Sequence, residues 1–318
     1  SGGGVLRSCR QRRRGGPAAL SVVWVPDRSR RPRLPADELS AVTIDDEFDD
    51  EFDDEFDDEF DDESGDDSVE EDDRGVELRV DDVDDPIRHL RCGEIDVEGR
   101  MPYSSNATFL VHDVDDGARH PAIYKPTRGE RPLWDFEPGL HRREVAAYLL
   151  SEHLGLHVVP PTVLRDGPLG EGSLQWFVTA DHSQHYFTIH EAHPEDHDQL
   201  RAMALLDVLA NNTDRKSGHV LLIPARNGEP ASVWGIDNGL CFAADYKLRT
   251  VIWEFGDEPI PEPWLERVGG LCERVPPDIA SLLAHDELEA LQGRAAWCVT
   301  HRRFPTDPSG RRYPWPLV

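Results

Sequence analysis

The run Asp45–Asp73 limits what this chain can fold into more than any other feature, because 21 of its residues are acidic and none is basic. Asp-Asp-Glu-Phe repeats four times over 45–60, and the acids continue to Asp73. Like charges at this density repel one another, and so few apolar groups cannot offset the entropy of ordering the chain. The expectation is a disordered region over 1–86, whose acidic repeats are a candidate contact for a basic partner. The segment ahead of the repeats is of opposite character, with nine Arg and one acid, Asp27, over 1–34. Arg7–Arg14 followed by Ala18–Val25 has the order of a signal peptide's charged and apolar parts. The apolar part is short and no small-residue cleavage site follows, so no signal peptide is expected.

Only part of the net charge of −29 therefore describes a folded body. Residues 1–75 account for −14 and the remaining 243 residues for −15. Such a field opposes approach to nucleic acid and to anionic membrane surfaces, so neither is an expected partner. No run of 18 apolar residues is present, so no membrane span is expected. The five Cys, at 9, 92, 241, 272 and 298, lie far apart without C-x-x-C spacing and are odd in number. That argues against a disulfide framework or a structural zinc site and suits a cytoplasmic setting.

From about residue 87 the texture is that of a globular protein. Asn106–Val114 and His120–Lys125 read as strands joined at the turn Asp115-Asp116-Gly117. Leu140–Leu154 reads as a helix closed by Gly155. Thr162–Arg165 and Ser173–Thr179 read as further strands, with a loop over Asp166–Gly172 between them. Pro194–Leu209 then gives a long helical pattern, followed by the short apolar runs Val220–Ile223 and Val233–Ile236 and by Pro-punctuated helices. The result is an α+β chain of two lobes, β-rich over about 87–178 and mostly helical over about 179–318. His182, His185, His190, His193 and His197 crowd the join, in spacings that fit no common zinc motif, and read as an exposed connector.

The chemistry gathers in the second lobe. Ala210-Asn-Asn-Thr-Asp-Arg-Lys-Ser-Gly-His219 follows a predicted helix and precedes an apolar run, and Ile236-Asp-Asn-Gly239 ends the next one. Phosphoryl transfer needs a carboxylate to take the acceptor's proton, a cation on the moving phosphoryl group, and ligands for the metal on the phosphates. Asp214 is the candidate base and Lys216 the cation, with His219 and Asp237 the candidate metal ligands. Gly239 is read as permitting a tight turn.

Asp-x-Lys-x-x-His at 214–219 with Asp-Asn-Gly at 237–239 resembles the catalytic and metal-binding loops of the protein kinase-like superfamily. Asn-Thr-Asp-Arg at 212–215 is closer to its phosphatidylinositol 3-/4-kinase and HipA-type branches. From Ile87 to Val318 the chain also resembles an uncharacterised actinobacterial family described as phosphatidylinositol 3-/4-kinase-like. Tyr124–Phe136, Arg143–Tyr148, Val159–Gly167 and Gly172–Gln175 carry that likeness. It implies a bilobal protein kinase-like fold, use of ATP with Mg²⁺ or Mn²⁺, and a hydroxyl-bearing acceptor. It also requires a strand Lys on the phosphates paired with a Glu on the following helix, which Lys125 and Glu144 supply. The chain has three Lys in all, Lys125, Lys216 and Lys247, and two of them stand at motif positions.

Two departures from the family pattern matter. No G-x-G-x-x-G precedes Lys125; the corresponding segment is Gly99–Asn106, where Ser104 and Ser105 are the candidates to cradle phosphate. His219 stands where these kinases usually carry Asn, and imidazole suits Mn²⁺ better than Mg²⁺. Gln175 and Phe177 lie on the strand expected to read the adenine edge. The functional readings are a phosphotransferase acting on a protein Ser/Thr or a small hydroxylated molecule, a nucleotide-binding pseudokinase, and an interaction protein recruited through its acidic repeats. A phosphoinositide is the less expected acceptor, because an acidic, Lys-poor surface repels its headgroup.

Overall fold

The computed structural model describes residues 85–317 except 102, 103, 105, 116, 117, 135, 182 and 227. The basic segment, the acidic repeats and the disorder expected of them lie outside the described residues.

The first lobe opens on helix α1 (Pro86–Cys92), where the Asp85 carboxylate accepts the Arg88 N–H at 2.9 Å. This helix is not foreseen from sequence, because seven residues with a single deeply buried side chain, Leu90, carry no readable period. Strands β1 (Glu94–Arg100), β2 (Phe109–Asp115) and β3 (Ala118–Pro126) follow, then helix α2 (Leu140–Leu154) and strands β4 (Thr162–Gly167) and β5 (Gly170–Trp176). They form one antiparallel sheet in the order β1-β2-β3-β5-β4. The loop expected over Asp166–Gly172 is shorter than predicted. Both strands run on into it, and Gly170 turns the chain at φ 102°, a value that glycine adopts without steric cost. Val111, Ala122, Tyr124, Leu174 and Trp176 fill the core of this lobe.

Helix α2 has the bounds predicted for it and ends at Gly155, whose φ of 65° is a left-handed cap. Ala146, Ala147, Leu150 and Leu154 belong to the core of the second lobe, so α2 joins the lobes rather than merely covering the sheet. The second lobe consists of α3 (Tyr186–Ala192), α4 (His197–Ala210), a hairpin of β6 (Val220–Ile223) and β7 (Ser232–Gly235), and helices α5 (Glu262–Glu273), α6 (Pro277–Ala280) and α7 (His285–His301). Helix α4 is buried nearly all round from Leu200 to Ala210, as expected of the central helix of a lobe. This is the two-lobed, protein kinase-like order of elements that the resemblance implies.

Three details correct the sequence reading. The pattern over Pro194–Leu209 is not one helix: a 3-10 turn, Pro194–Asp196, precedes α4. The His-rich join is not simply an exposed connector, since α3 buries Tyr186 and Ile189, and His190 and His197 stack with ring centroids 4.4 Å apart. Cys92 is disulfide-bonded, whereas Cys241, Cys272 and Cys298 carry free thiols. Among the described residues no helix is long and apolar enough to cross a membrane.

Candidate functional site

Side chains alternate across a strand, so on β3 Tyr124 enters the first lobe's core while Lys125 faces the space between the lobes. Helix α2 brings Glu144 to meet it. The Lys125 ammonium pairs with Glu144 Oε1 and, at 2.7 Å, with Asp237 Oδ1. Burial alone would depress this ammonium, but the two carboxylates outweigh it and raise its pKa above the ordinary value. Glu144 is itself buried, and its Oε2 accepts the Asn238 N–H at 2.9 Å. One helical carboxylate thus holds both the strand Lys and the loop that follows β7.

The position of α2 is fixed by a residue the sequence reading passed over. Glu130 Oε2 accepts the Gly139 N–H at 2.8 Å and Oε1 the His141 N–H at 3.0 Å, satisfying donors that a helix start leaves unpaired. Its Oε1 also lies 2.7 Å from His141 Nδ1. Burial would raise this carboxyl, yet those hydrogen bonds prevail and hold it at about 2.

The 211–219 loop is built on the end of α4. Asn211 closes the helix in a left-handed turn, φ 51°, and its amide donates to the Ala243 and Asp245 carbonyls. Asn212 Oδ1 accepts the Asp214 N–H at 2.9 Å, which orients the candidate base. Asp214 Oδ2 lies 3.2 Å from Lys216 Nζ. Burial raises the Asp214 pKa and the Lys216 charge partly opposes it, leaving a carboxylate better able to accept a proton than an exposed Asp. Between them Arg215 turns the other way, into the core.

The β6–β7 hairpin explains how residues 18 positions apart meet. Val220 pairs with Gly235, so His219 and Ile236 stand side by side just beyond the pairing, and the Ile236 N–H donates to the His219 carbonyl at 3.0 Å. Asp237 follows at φ 57°, a left-handed conformation uncommon for a residue with a Cβ. The strain falls on Asp237 and not on Gly239. Gly239 serves for close approach instead, since a Cβ there would come within 3.3 Å of Glu144 Oε1. The Lys125 charge holds Asp237 far below the usual carboxylate range against the opposing effect of burial.

Asp237 and His219 are the predicted metal ligands. Oδ1 of Asp237 faces Lys125, and Oδ2 lies 3.5 Å from His219 Nε2. Two atoms at that separation can share one ion with bonds of ~2.1 Å. Burial pushes the imidazole down to about 4, so it is neutral near pH 7, the form with a lone pair to give. The donor set fits a divalent cation, with a nitrogen that favours Mn²⁺ over Mg²⁺.

These groups line a cleft of about 260 Å³ together with Ser104, Asn106 and Thr108. The Ser104 hydroxyl donates to Thr108 Oγ1 at 2.8 Å, and Ser105 lies outside the described residues. Gln175 and Phe177 are not brought to the cleft wall. Gln175 pairs with Ile123 on one side and Thr162 on the other and ties its side chain to Thr162 Oγ1, while the Phe177 N–H donates to the Pro121 carbonyl. The six residues Lys125, Glu144, Asp214, Lys216, His219 and Asp237 do converge.

The largest omission of the sequence reading is the clamp behind them. Arg215 is fully buried and bonds Asp207 through Nε at 3.1 Å and Nη2 at 3.0 Å. It also donates to the Ile236 carbonyl at 2.7 Å and to Asn238 Oδ1 at 2.6 Å. Asp207 accepts further from Asn212 and Thr250. The Asp237 loop is thereby bolted to α4. A single Asp inside the apolar run Met203–Leu209 is the signal that points to it.

No family model matches the chain. The Mycobacterium tuberculosis protein called Protein Rv2133c is 36% identical over 270 residues, a match covering 73% of this chain and 95% of that protein. Among solved structures the chain is similar to the Helicobacter pylori proinflammatory kinase CtkA, at TM-score 0.39 and 14% identity, over 68% of this chain and 94% of that one. It is also similar to hydra Fam20 with sugar, at TM-score 0.45 and 14% identity, over 68% and 86%. At scores below 0.5 these two likenesses add no weight to the chain's own topology.

Proposed function

We propose that this chain, which belongs to the family of Protein Rv2133c, is an ATP-dependent phosphotransferase acting on a hydroxyl acceptor. The observation that carries the reading is Lys125, which bridges a helical Glu144 and a loop Asp237 112 residues away. The kinship to phosphatidylinositol 3-/4-kinase-like proteins, and a kinase-like domain over 87–318, are parts of the same proposal and rest on the motifs at 212–219 and 237–239.

In this reading Lys125 binds phosphate oxygens while Glu144 fixes its position, and Asp214 accepts the acceptor's proton. Lys216, 3.2 Å from Asp214, stabilises charge on the group in transit. Asp237 and His219 would hold the divalent ion, which when bound neutralises phosphate charge. Arg215 keeps Asp237 in place through the Ile236 carbonyl and Asn238.

The test is a melting shift with ATP plus Mn²⁺ or Mg²⁺, followed by turnover. A ligand that binds only the native state adds ~2.7 kcal/mol at a hundredfold excess over its Kd. The shift is expected in the wild type and lost in Lys125→Ala, while Asp214→Ala keeps the shift and loses turnover. Absence of any nucleotide shift would sink the reading. One observation favours a second reading, nucleotide binding without turnover: a half-buried neutral imidazole, His219, occupies a ligand position where Mg²⁺ prefers oxygen. A shift without turnover in both metals selects it.

A further inference from the structure

Helix α3 hands over to α4 through the turn His193-Pro-Glu-Asp196, to which the phosphotransferase reading gives no task. The His193 carbonyl accepts the Asp196 N–H at 3.0 Å, which closes the turn. One donor atom each from His193, Glu195 and Asp196 lies within 4.8 Å of the other two. His193 Nδ1 is 3.5 Å from Glu195 Oε1. The trio is remote from the cleft. The 14 residues of α4, rising 1.5 Å each, put roughly 21 Å between it and the loop that begins at Asn211.

An imidazole that near a carboxylate is also an ordinary ion pair; Asp196 is what sets this turn apart. It is 5% exposed, yet its Oδ2 is buried without a hydrogen-bond partner. Its Oδ1 accepts from the Gln199 amide at 3.2 Å. That amide also donates to the Ala231 carbonyl at 3.1 Å, and Gln199 Oε1 accepts the Val233 N–H at 2.8 Å. Gln199 is thus fully engaged and orients the carboxylate from one side. Among the described residues no Lys or Arg pairs with His193, Glu195 or Asp196. A buried carboxylate oxygen is normally hydrogen-bonded, paired with a cation or bound to metal, and Oδ2 has neither of the first two. One oxygen oriented by an amide and the other left open, beside an imidazole and a second carboxylate, is how a metal ligand is supported by its surroundings.

We propose that His193, Glu195 and Asp196 bind one divalent transition-metal ion, Zn²⁺ fitting best, that locks the join between α3 and α4. One imidazole nitrogen and two carboxylate oxygens suit Zn²⁺, which accepts three protein ligands with a fourth position left to solvent. Mg²⁺ prefers oxygen throughout. The ion offsets two adjacent negative charges and gives Oδ2 its partner. Its hold on Asp196 reaches β7 through Gln199, and β7 is the strand that leads to Asp237. The role is structural, so the site does not depend on the phosphotransferase reading.

The test is zinc competition against a chromophoric chelator, on the full chain without nucleotide and with Mg²⁺ in excess to cover weak sites on the acidic repeats. One tight equivalent is expected in the wild type. Glu195→Gln, at a side chain too exposed to threaten folding, should weaken it by about tenfold or more, since losing even a supporting group costs a metal site ~10–100-fold. His193→Ala should abolish it, whereas Asp237→Asn, which alters a cleft ligand, should leave it in place. Melting supplies a second readout. Zn²⁺ should raise the melting temperature of the wild type and not of Asp196→Asn. The proposal falls if no tight equivalent exists, or if either Glu195→Gln or His193→Ala binds zinc like the wild type. It falls if the equivalent is lost with Asp237→Asn instead, which would assign the ion to the cleft. It falls too if Asp196→Asn keeps the zinc shift, which would leave that carboxylate a purely structural role.

Discussion

Two charged networks lie back to back in this protein and differ in almost every physical respect. Lys125, Glu144 and Asp237 join three separate elements across the lobes, and both Lys125 and Asp237 retain contact with solvent. Arg215, Asp207 and Asn238 sit inside the second lobe with no exposure above 1%. The first network is one that a ligand can rearrange, because Lys125 and Asp237 have water to turn to while Glu144 stays fixed by the Asn238 N–H. The second cannot move without stranding an ion in the core. Cleft chemistry and cleft geometry are thus assigned to different side chains, and Asn238 and Glu144 couple them through one N–H.

The hardest blow to this contrast is Arg215→Ala. Removing one partner of a buried pair leaves Asp207 uncompensated and should cost roughly 3–5 kcal/mol in urea unfolding; a loss below about 1 kcal/mol would refute the clamp. Lys125→Ala, by contrast, leaves the buried Glu144 still accepting the Asn238 N–H and an Asp237 that can turn to water, so it should cost less, about 1–3 kcal/mol. A Lys125 variant as unstable as the Arg215 one would erase the distinction.

Next in size is a pH effect. The Glu130 carboxyl is held at about 2 in the folded chain against an ordinary value of 4.5. A depressed folded pKa gives stability that is fully present above the unfolded value and lost as pH falls through the folded one. Stability should therefore decline from about pH 4.5 downward, and Glu130→Gln, already lacking that charge, should show a shallower decline over the same window. Parallel curves would remove Glu130 as the anchor of α2. The smallest effect is expected from His219→Asn. Exchanging nitrogen for oxygen should move the Mg²⁺-to-Mn²⁺ ratio of nucleotide-dependent stabilisation toward Mg²⁺ by several-fold with little change in the apo melting point. No change in that ratio would take His219 out of the metal site.

Some of this was legible because it is local. Helix α2 was readable from its apolar spacing and Gly155, and strand β6 from four consecutive apolar residues. Asp214, Lys216 and His219 were readable because they sit on one loop, and Lys125 because lysine is so scarce here. Gln175 and Phe177 illustrate the opposite case. A strand's sequence does not say which of its neighbours takes up its backbone, and here β3, β4 and the Pro121 carbonyl do so. The role of Gly239 was misread for a related reason, since what glycine makes room for depends on Glu144, 95 positions away in the chain.

The sequence alone set apart an acidic tract, a β-rich half and a helical half, and it marked the six polar residues that converge. Those are properties of composition and of neighbours along the chain. The tertiary structure decided that Lys125 holds two carboxylates at once, that Arg215 turns inward instead of into the cleft, and that Gln199 ties the buried Asp196 to β7. Each of these depends on residues distant in sequence becoming adjacent in space, where burial and Coulomb interaction, rather than residue type, set what a side chain can do.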